Sequence, residues 1–137
     1  CGNLGSVIVY NQSFEEKRNA ELARDFPEFA QPLNNINARM VDLLVPFKSR
    51  WLYHPDQKGS ASIKSVLPAF SALDYAEMDI GGGEEASRQY KHFVEGKIGD
   101  NEIEKLWADL RKYCALDTLA MVELIGVLEG YRQESSR

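Results

Sequence analysis

The chain has 137 residues, of which 44% are hydrophobic and 27% are charged, and its formal net charge at pH 7 is -5. This length suits a single domain with its own core. The negative charge excludes a nucleic-acid surface built from an overall basic composition. The longest apolar runs fall far short of the roughly 20 residues that a membrane-spanning helix needs. The two cysteines, Cys1 and Cys114, do not make a disulfide framework, which favours a reducing, cytoplasmic setting.

The first predicted elements are a short strand and a helix. Residues 6–10 form a β-branched and aromatic run that predicts a buried strand, the one clear strand in the sequence. Ser13 and Glu16 have the spacing of a capping box, which predicts a helix from Ser13 toward Phe26. Because an isolated strand is not a stable unit, we expect this strand to pair with a segment near residues 51–54 or with a second copy of the chain.

The rest of the chain is predicted to be helical from its apolar spacing and its cap signals. The predicted helices span about 27–46, 62–68, 84–96 and 100–131. The expected fold class is therefore α/β, predominantly helical with one short strand.

Asp117 lies on the apolar face of the last predicted helix. That face comprises Ile103, Leu106, Trp107, Leu110, Tyr113, Asp117, Met121, Leu124 and Leu128. Because burying an unpaired carboxylate costs several kcal/mol, Asp117 must face a metal, a cation, hydrogen-bond donors or a water-filled cleft. Tyr113 stands one turn earlier on the same face. Asp117 is therefore a functional candidate, although an ion pair with Arg or Lys would also account for it.

A second candidate acid follows the predicted strand. Asn11 stands at the carboxyl end of the strand, and Glu15 falls in the first turn of the next helix. Open α/β sheets bind their ligands at such strand ends. Taken alone, Glu15 is equally a first-turn acid that favours the helix dipole, so only its combination with Asp117 points to a site.

These motifs resemble those of the DEDD superfamily of 3′-5′ exonucleases, in the subgroup whose third motif is Tyr-x-x-x-Asp. Tyr113 and Asp117 match that third motif. Asn11, Phe14 and Glu15 resemble the second motif, usually Asn-x-x-Phe-Asp. The sequence also resembles an uncharacterised bacterial domain family of that group at 9–15, 54–56, 62–68, 80–86 and 113–117. The resemblance implies that residues 1–137 are the C-terminal portion of a single ribonuclease-H-like exonuclease domain.

The chemistry implied by this resemblance is two-metal hydrolysis of phosphodiesters at a single-stranded 3′ end of DNA or RNA. Glu15 and Asp117 would ligate Mg²⁺ or Mn²⁺, Tyr113 would orient the attacking water, and Asn11 would help to position the site. Two features depart from the family pattern: Glu15 replaces the usual Asp, and the first motif, Asp-x-Glu, is absent. We expect that motif upstream of Cys1, in a parent chain with other domains, and we expect the present chain to cleave little or nothing by itself.

Other interpretations stay open. The chain could be a non-catalytic nucleic-acid-binding or protein-interaction module, or a purely helical scaffold with Asp117 in an ion pair. Cations and aromatic residues alternate in a pattern that suits binding of a nucleic-acid single strand, and this pattern makes Lys64 a candidate substrate-binding residue. The alternative, in which Trp51 lies in the core and the cations are solvated, fits the sequence equally well. This set is Lys48, Arg50, Trp51, Tyr53, Lys58 and Lys64. The glycine run 81–83 predicts a turn rather than a phosphate cradle, because the two acids that follow it would repel an anion.

Overall fold

The computed structural model describes residues 2, 4–76 and 78–135, which form two strands and six α-helices. In chain order these are β1 (Val7–Val9), α1 (Gln12–Asp25), α2 (Ala30–Asn37), β2 (Met40–Asp42), α3 (Leu44–Lys48), α4 (Ile63–Phe70), α5 (Gly83–Val94) and α6 (Asp100–Glu134). Short 3-10 helices occupy Pro27–Phe29 and Pro55–Gln57. The predicted mainly helical α/β class is confirmed. A two-stranded sheet does not by itself identify a ribonuclease-H-like fold, so that finer assignment stays a prediction.

The partner of β1 is β2, which lies where the sequence predicted a helix. The two strands are parallel, with Val7 opposite Met40 and Val9 opposite Asp42. The long predicted helix was wrong at 38–43, because the backbone groups of β1 require a partner and this requirement overrides the apolar helical spacing of a few residues. The predicted pairing with residues 51–54 was also wrong, since none of those residues is in a strand.

A single carboxylate fixes the point where β1, α1 and α3 meet. The backbone N–H groups of Asn11 and Gln12 donate to Asp42 Oδ1 and Oδ2, each at 2.9 Å. The N–H of Leu44 also donates to Asp42 Oδ1 at 2.9 Å. Asp42 therefore caps the start of α1. The predicted capping box that begins at Ser13 was wrong, because α1 begins at Gln12 and Ser13 lies inside the helix, where its hydroxyl donates to the Asn11 side chain.

The core lies between α3, α4 and α6. Its buried members are Leu43, Phe47, Val66, Leu67, Ala120 and Leu124. The three helices predicted after residue 60 are confirmed within a few residues, and every member of the predicted apolar face of α6 is partly or fully buried. Within the described ranges, no helix is both long and apolar enough to cross a membrane.

Candidate functional site

Asp117 accepts a hydrogen bond from a tyrosine that lies far away in the sequence. The Tyr75 hydroxyl donates to Asp117 Oδ1 at 2.7 Å. Tyr75 follows α4, and its ring centroid is 6.4 Å from that of Tyr113. We call Tyr75, Tyr113 and Asp117 the tyrosine–aspartate cluster. Of the partners expected for Asp117, the structure shows a hydrogen-bond donor, and no ion pair joins Asp117 to any other described residue.

Both tyrosines of the cluster hold their protons firmly. Burial, followed by the charge of Asp117, raises the pKa of Tyr113 to about 12. Burial also raises the pKa of Tyr75 far above its usual value, and the hydrogen bond to Asp117 adds to this effect. Protonated tyrosines are hydrogen-bond donors at neutral pH. The cluster can therefore orient the Asp117 carboxylate and donate a hydrogen bond to an oxygen of a ligand.

The cluster lies near the carboxyl end of β1. Tyr10, which directly follows β1, packs with Tyr75 against the core cluster that includes Ala120 and Leu124 of α6. The Tyr10 hydroxyl donates to the backbone oxygen of Ala61 at 2.6 Å, which ties the strand end to the segment before α4. Burial raises the pKa of Tyr10 as well, with a smaller contribution from the nearby charge of Asp42. The end of β1 and the middle of α6 thus border one region.

Glu15 and Asn11, the predicted partners of Asp117, lie at the start of α1. Glu15 is partly buried, and its carboxylate forms no hydrogen bond or ion pair with another described residue. The Asn11 side chain accepts a hydrogen bond from the Ser13 hydroxyl at 2.9 Å. Within 2, 4–76 and 78–135, no group of three or more His, Cys, Asp or Glu side chains is placed to hold a metal ion. The acids described here do not make a complete metal site, and the predicted ligand roles of Glu15 and Asp117 stay predictions.

Lys64, the predicted substrate-binding cation, lies beside the cluster on α4. Its Nζ is 5.9 Å from the centroid of the Tyr75 ring, within the range of a cation–π contact. A Cβ added to Gly82 would lie 2.6 Å from Lys64 Nζ, and one added to Gly83 would lie 3.9 Å from the Tyr113 hydroxyl. The glycine run therefore lets the start of α5 approach Lys64 and the cluster closely.

The glycine run also contacts one of the acids that follow it. The N–H of Gly81 donates to Glu85 Oε2 at 3.0 Å, and Glu85 Oε1 lies 3.4 Å from the Arg88 guanidinium. A carboxylate thus occupies a position that a bound phosphate would need. This geometry agrees with the interpretation of residues 81–83 as a turn.

The interleaved cations and aromatics at 48–58 lie on the surface. The Trp51 side chain is 75% exposed, so the alternative that placed it in the core was wrong. Tyr53 is 43% exposed, and the guanidinium carbon of Arg50 lies 5.8 Å from its ring centroid. This surface is available to a partner.

Two structurally important residues were not singled out from the sequence. Asp42 interrupts the apolar run from Val41 to Leu44, and that interruption is a signal for an acid with a specific partner. Tyr75 stands in an irregular segment between helices, where no periodicity predicts which way a side chain points. Its contact with Asp117 depends on the tertiary packing of α4 against α6.

Comparisons with known proteins identify relatives of undetermined function. Residues 1–62 match the model of a domain of unknown function, DUF2779. The chain is 31% identical over 134 residues to the uncharacterized protein UU173 of Ureaplasma parvum serovar 3, an alignment that covers 85% of this chain and 19% of that protein. It is 26% identical over 132 residues to the uncharacterized protein MG366 of Mycoplasma genitalium, covering 88% of this chain and 20% of that protein. No solved structure matches.

These relationships confirm the predicted similarity to an uncharacterised bacterial domain family, at that level of description. The matched family model includes β1, α1, β2 and α3, and it ends before Lys64, Tyr75 and α6. The chain spans about one fifth of the length of the two curated relatives. None of the matching descriptions names a nuclease, so membership of the exonuclease superfamily stays a prediction.

Proposed function

We propose that this chain forms part of a metal-dependent 3′-5′ exonuclease domain with a ribonuclease-H-like fold, which acts on single-stranded ends of DNA or RNA. The observation that carries the proposal is the position of Asp117. Its carboxylate is held by the Tyr75 hydroxyl and flanked by Tyr113, and Tyr75 packs against the same core cluster as Tyr10, the residue that follows β1. Ligands of open α/β sheets bind at such strand ends.

The proposal assigns roles to the residues of this chain without requiring that they complete the site alone. Hard divalent cations at a phosphodiesterase centre are held by several carboxylates. The described residues gather no such group, so the remaining acids would have to come from elsewhere in a longer protein. Within this chain, Tyr75 would fix the orientation of Asp117, and Tyr113 would donate a hydrogen bond to an oxygen of the substrate or of an attacking water.

A second candidate function is a nucleic-acid-binding or protein-interaction module without catalysis. It is favoured by the exposed Trp51 ring and by the contact of Arg50 with the exposed Tyr53 ring, which suit binding of a partner. In that case the tyrosine–aspartate cluster would be a structural link between α6 and the segment after α4. The two functions differ in whether nucleic acid is shortened or only bound.

The experiment that separates them uses the gene product containing this chain, with single-stranded DNA and RNA labelled at either end, in Mn²⁺ and in EDTA. A 3′-5′ exonuclease gives a ladder from the 5′ label and mononucleotides from the 3′ label. We expect Asp117→Asn to reduce the rate by more than the roughly 10–100-fold that is typical when a residue orienting a metal ligand is lost. Asp109→Asn, on the same helix but in a surface ion pair with Lys105 at 2.7 Å, is the matched control and should act like the native protein.

Binding without shortening by the native gene product would favour the interaction module. Equal cleavage by the native protein and the Asp117→Asn variant would contradict the proposed role of Asp117.

A further inference from the structure

A groove of about 640 Å³ opens at the carboxyl end of β1, between α3 and the segment before α4. We call it the basic groove. Its polar and charged lining includes Tyr10, Asn11, Lys48, Arg50, Tyr53 and Ser62. No described Asp or Glu lines it, although the whole chain has 21 acids and 16 Lys and Arg residues. The lining residues therefore carry two cations and no acid, and the Asp42 carboxylate lies behind them, bound to the N–H groups of Asn11 and Leu44.

The two cations of the groove are not neutralised by described acids. Neither Lys48 nor Arg50 forms an ion pair within the part of the chain that the structure describes. The Arg50 guanidinium instead lies over the ring of Tyr53. A stacked guanidinium keeps its N–H donors in its own plane, where they can bind a phosphate. A cation that forms no ion pair attracts an anionic ligand without competition from a protein carboxylate.

The backbone around the groove adopts a costly conformation. Three described non-glycine residues have positive φ: Asn11 at 79°, Arg50 at 57° and Lys58 at 50°. The first two line the groove, and Lys58 lies between its lining residues Gln57 and Gly59. Left-handed conformations of such residues cost about 1–2 kcal/mol each and persist where the surrounding structure imposes them. The surrounding structure therefore imposes the backbone conformation at Asn11 and Arg50, two residues of the groove lining.

Exposed aromatic rings adjoin the cations. Trp51 follows Arg50 directly and is 75% exposed, and the ring of Tyr53 is at the groove wall. Exposed rings beside cations suit single-stranded nucleic acid, because each stacked base contributes about 1–3 kcal/mol and the backbone phosphates bind the cations. An acidic peptide would use the cations but would leave the rings without stacking partners.

We propose that the basic groove binds the sugar-phosphate backbone of a single-stranded nucleic acid, with Lys48 and Arg50 on consecutive phosphates and a base stacked on Trp51. The groove includes Tyr10, which packs against the same core cluster as Tyr75 of the tyrosine–aspartate cluster. The inference rests on the proposed function for its choice of ligand. It concerns binding and needs no cleavage.

The test measures binding of the present chain to a fluorescein-labelled (dT)12 oligonucleotide by fluorescence anisotropy, in EDTA and over a range of salt concentrations. The double variant Lys48→Gln, Arg50→Gln removes two phosphate contacts. Since each contact to a single strand contributes about 0.7 to the log–log salt slope, the slope should fall by about 1.4 and affinity at 0.1 M salt by roughly 25-fold. Lys91→Gln, Lys97→Gln removes two cations outside the groove and should change affinity less than about threefold, because it alters only the long-range field.

Further arms of the same experiment identify the ligand class. Trp51→Ala should weaken binding several-fold with no change in the salt slope, because stacking releases no counterions. Polyglutamate of equal charge should compete poorly. Equal losses in the groove and control variants, equally good competition by polyglutamate, or no binding of (dT)12 by the native chain would each overturn the proposal.

These outcomes are separate from the cleavage test. Binding that depends on the groove, together with a gene product that never shortens nucleic acid, would retain the groove and refute the exonuclease. Cleavage that requires Asp117, together with binding that is unchanged in the Lys48 and Arg50 variants, would support the exonuclease and refute the groove.

Discussion

The hydrogen bond between Tyr75 and Asp117 is the contact on which the tyrosine–aspartate cluster depends, and Tyr75→Phe removes it with little change in shape. The hydroxyl donates to a carboxylate at 2.7 Å, and both residues are partly buried. Hydrogen bonds to charged groups contribute about 1.5–3 kcal/mol, and partial exposure to water places this one at the lower end. We expect the free energy of unfolding to fall by about 1.5 kcal/mol. With a urea m-value of about 1.5 kcal/mol/M, the unfolding midpoint should fall by about 1 M.

Circular dichroism at 222 nm during urea unfolding at pH 7 measures this change. Tyr90→Phe is the matched control, because its ring packs against Phe93 and Trp107 and its hydroxyl has no hydrogen bond with a described residue, so the variant should stay within about 0.5 kcal/mol of the native chain. A double-mutant cycle with Asp117→Asn should give a coupling energy near 1 kcal/mol. A Tyr75→Phe variant as stable as Tyr90→Phe, with no coupling to Asp117, would refute the contact.

Three further predictions concern the fold around the site. Asp42→Ala leaves three backbone N–H groups without their acceptor, and we expect it to lower the free energy of unfolding in urea by about 2–4 kcal/mol. Asp42→Asn keeps one oxygen acceptor and should lower it by about half as much. Equal stability of Asp42→Ala and the native chain would contradict the capping role of Asp42. The pKa of Tyr113 is about 12 in the folded chain and near 10 in the unfolded chain, so its contribution to stability is fully present below pH 10 and is lost as the pH rises through 12. The free energy of unfolding measured between pH 9 and 12 should therefore fall less in Tyr113→Phe than in the native chain. Parallel pH profiles of the two proteins would show that the residue is not buried as described. Gly82→Ala should change the free energy of unfolding by less than about 1 kcal/mol, because the added Cβ contacts only the flexible end of the Lys64 side chain. Gly59→Ala, at φ +80°, should lower the free energy of unfolding by about 1–2 kcal/mol in the same assay. The opposite order would contradict the geometry at residues 81–83.

Local sequence signals predicted the elements that local physics decides. Helix α5, predicted from the acids in its first turn, and helix α6, predicted from apolar residues at spacings of three and four, lie close to where their sequences placed them, and the apolar face of α6 is turned inward as expected. The strand at Val7–Val9 was also evident from its β-branched residues.

Features that depend on distant partners could not be predicted in this way. Residues 40–42 have apolar spacing compatible with a helix, and they form a strand because β1 lies beside them. Ser13 has the sequence of a helix cap, yet α1 begins before it at Gln12, whose N–H donates to Asp42, 30 residues further along the chain. Tyr75 reaches Asp117 across 42 residues. In each case a local preference of at most about 1–2 kcal/mol is outweighed by a tertiary contact.

The central claim is that Asp117 belongs to a site that cleaves nucleic acid, and the rate at which a 5′-labelled single strand is shortened tests it most directly. The gene product containing this chain should be compared in Mn²⁺ with its Tyr75→Phe, Asp117→Asn and Asp109→Asn variants. We predict full activity for Asp109→Asn, a loss of roughly 10–100-fold for Tyr75→Phe as a positioning residue, and a larger loss for Asp117→Asn. Undiminished shortening of the strand by the Asp117→Asn variant would contradict the claim.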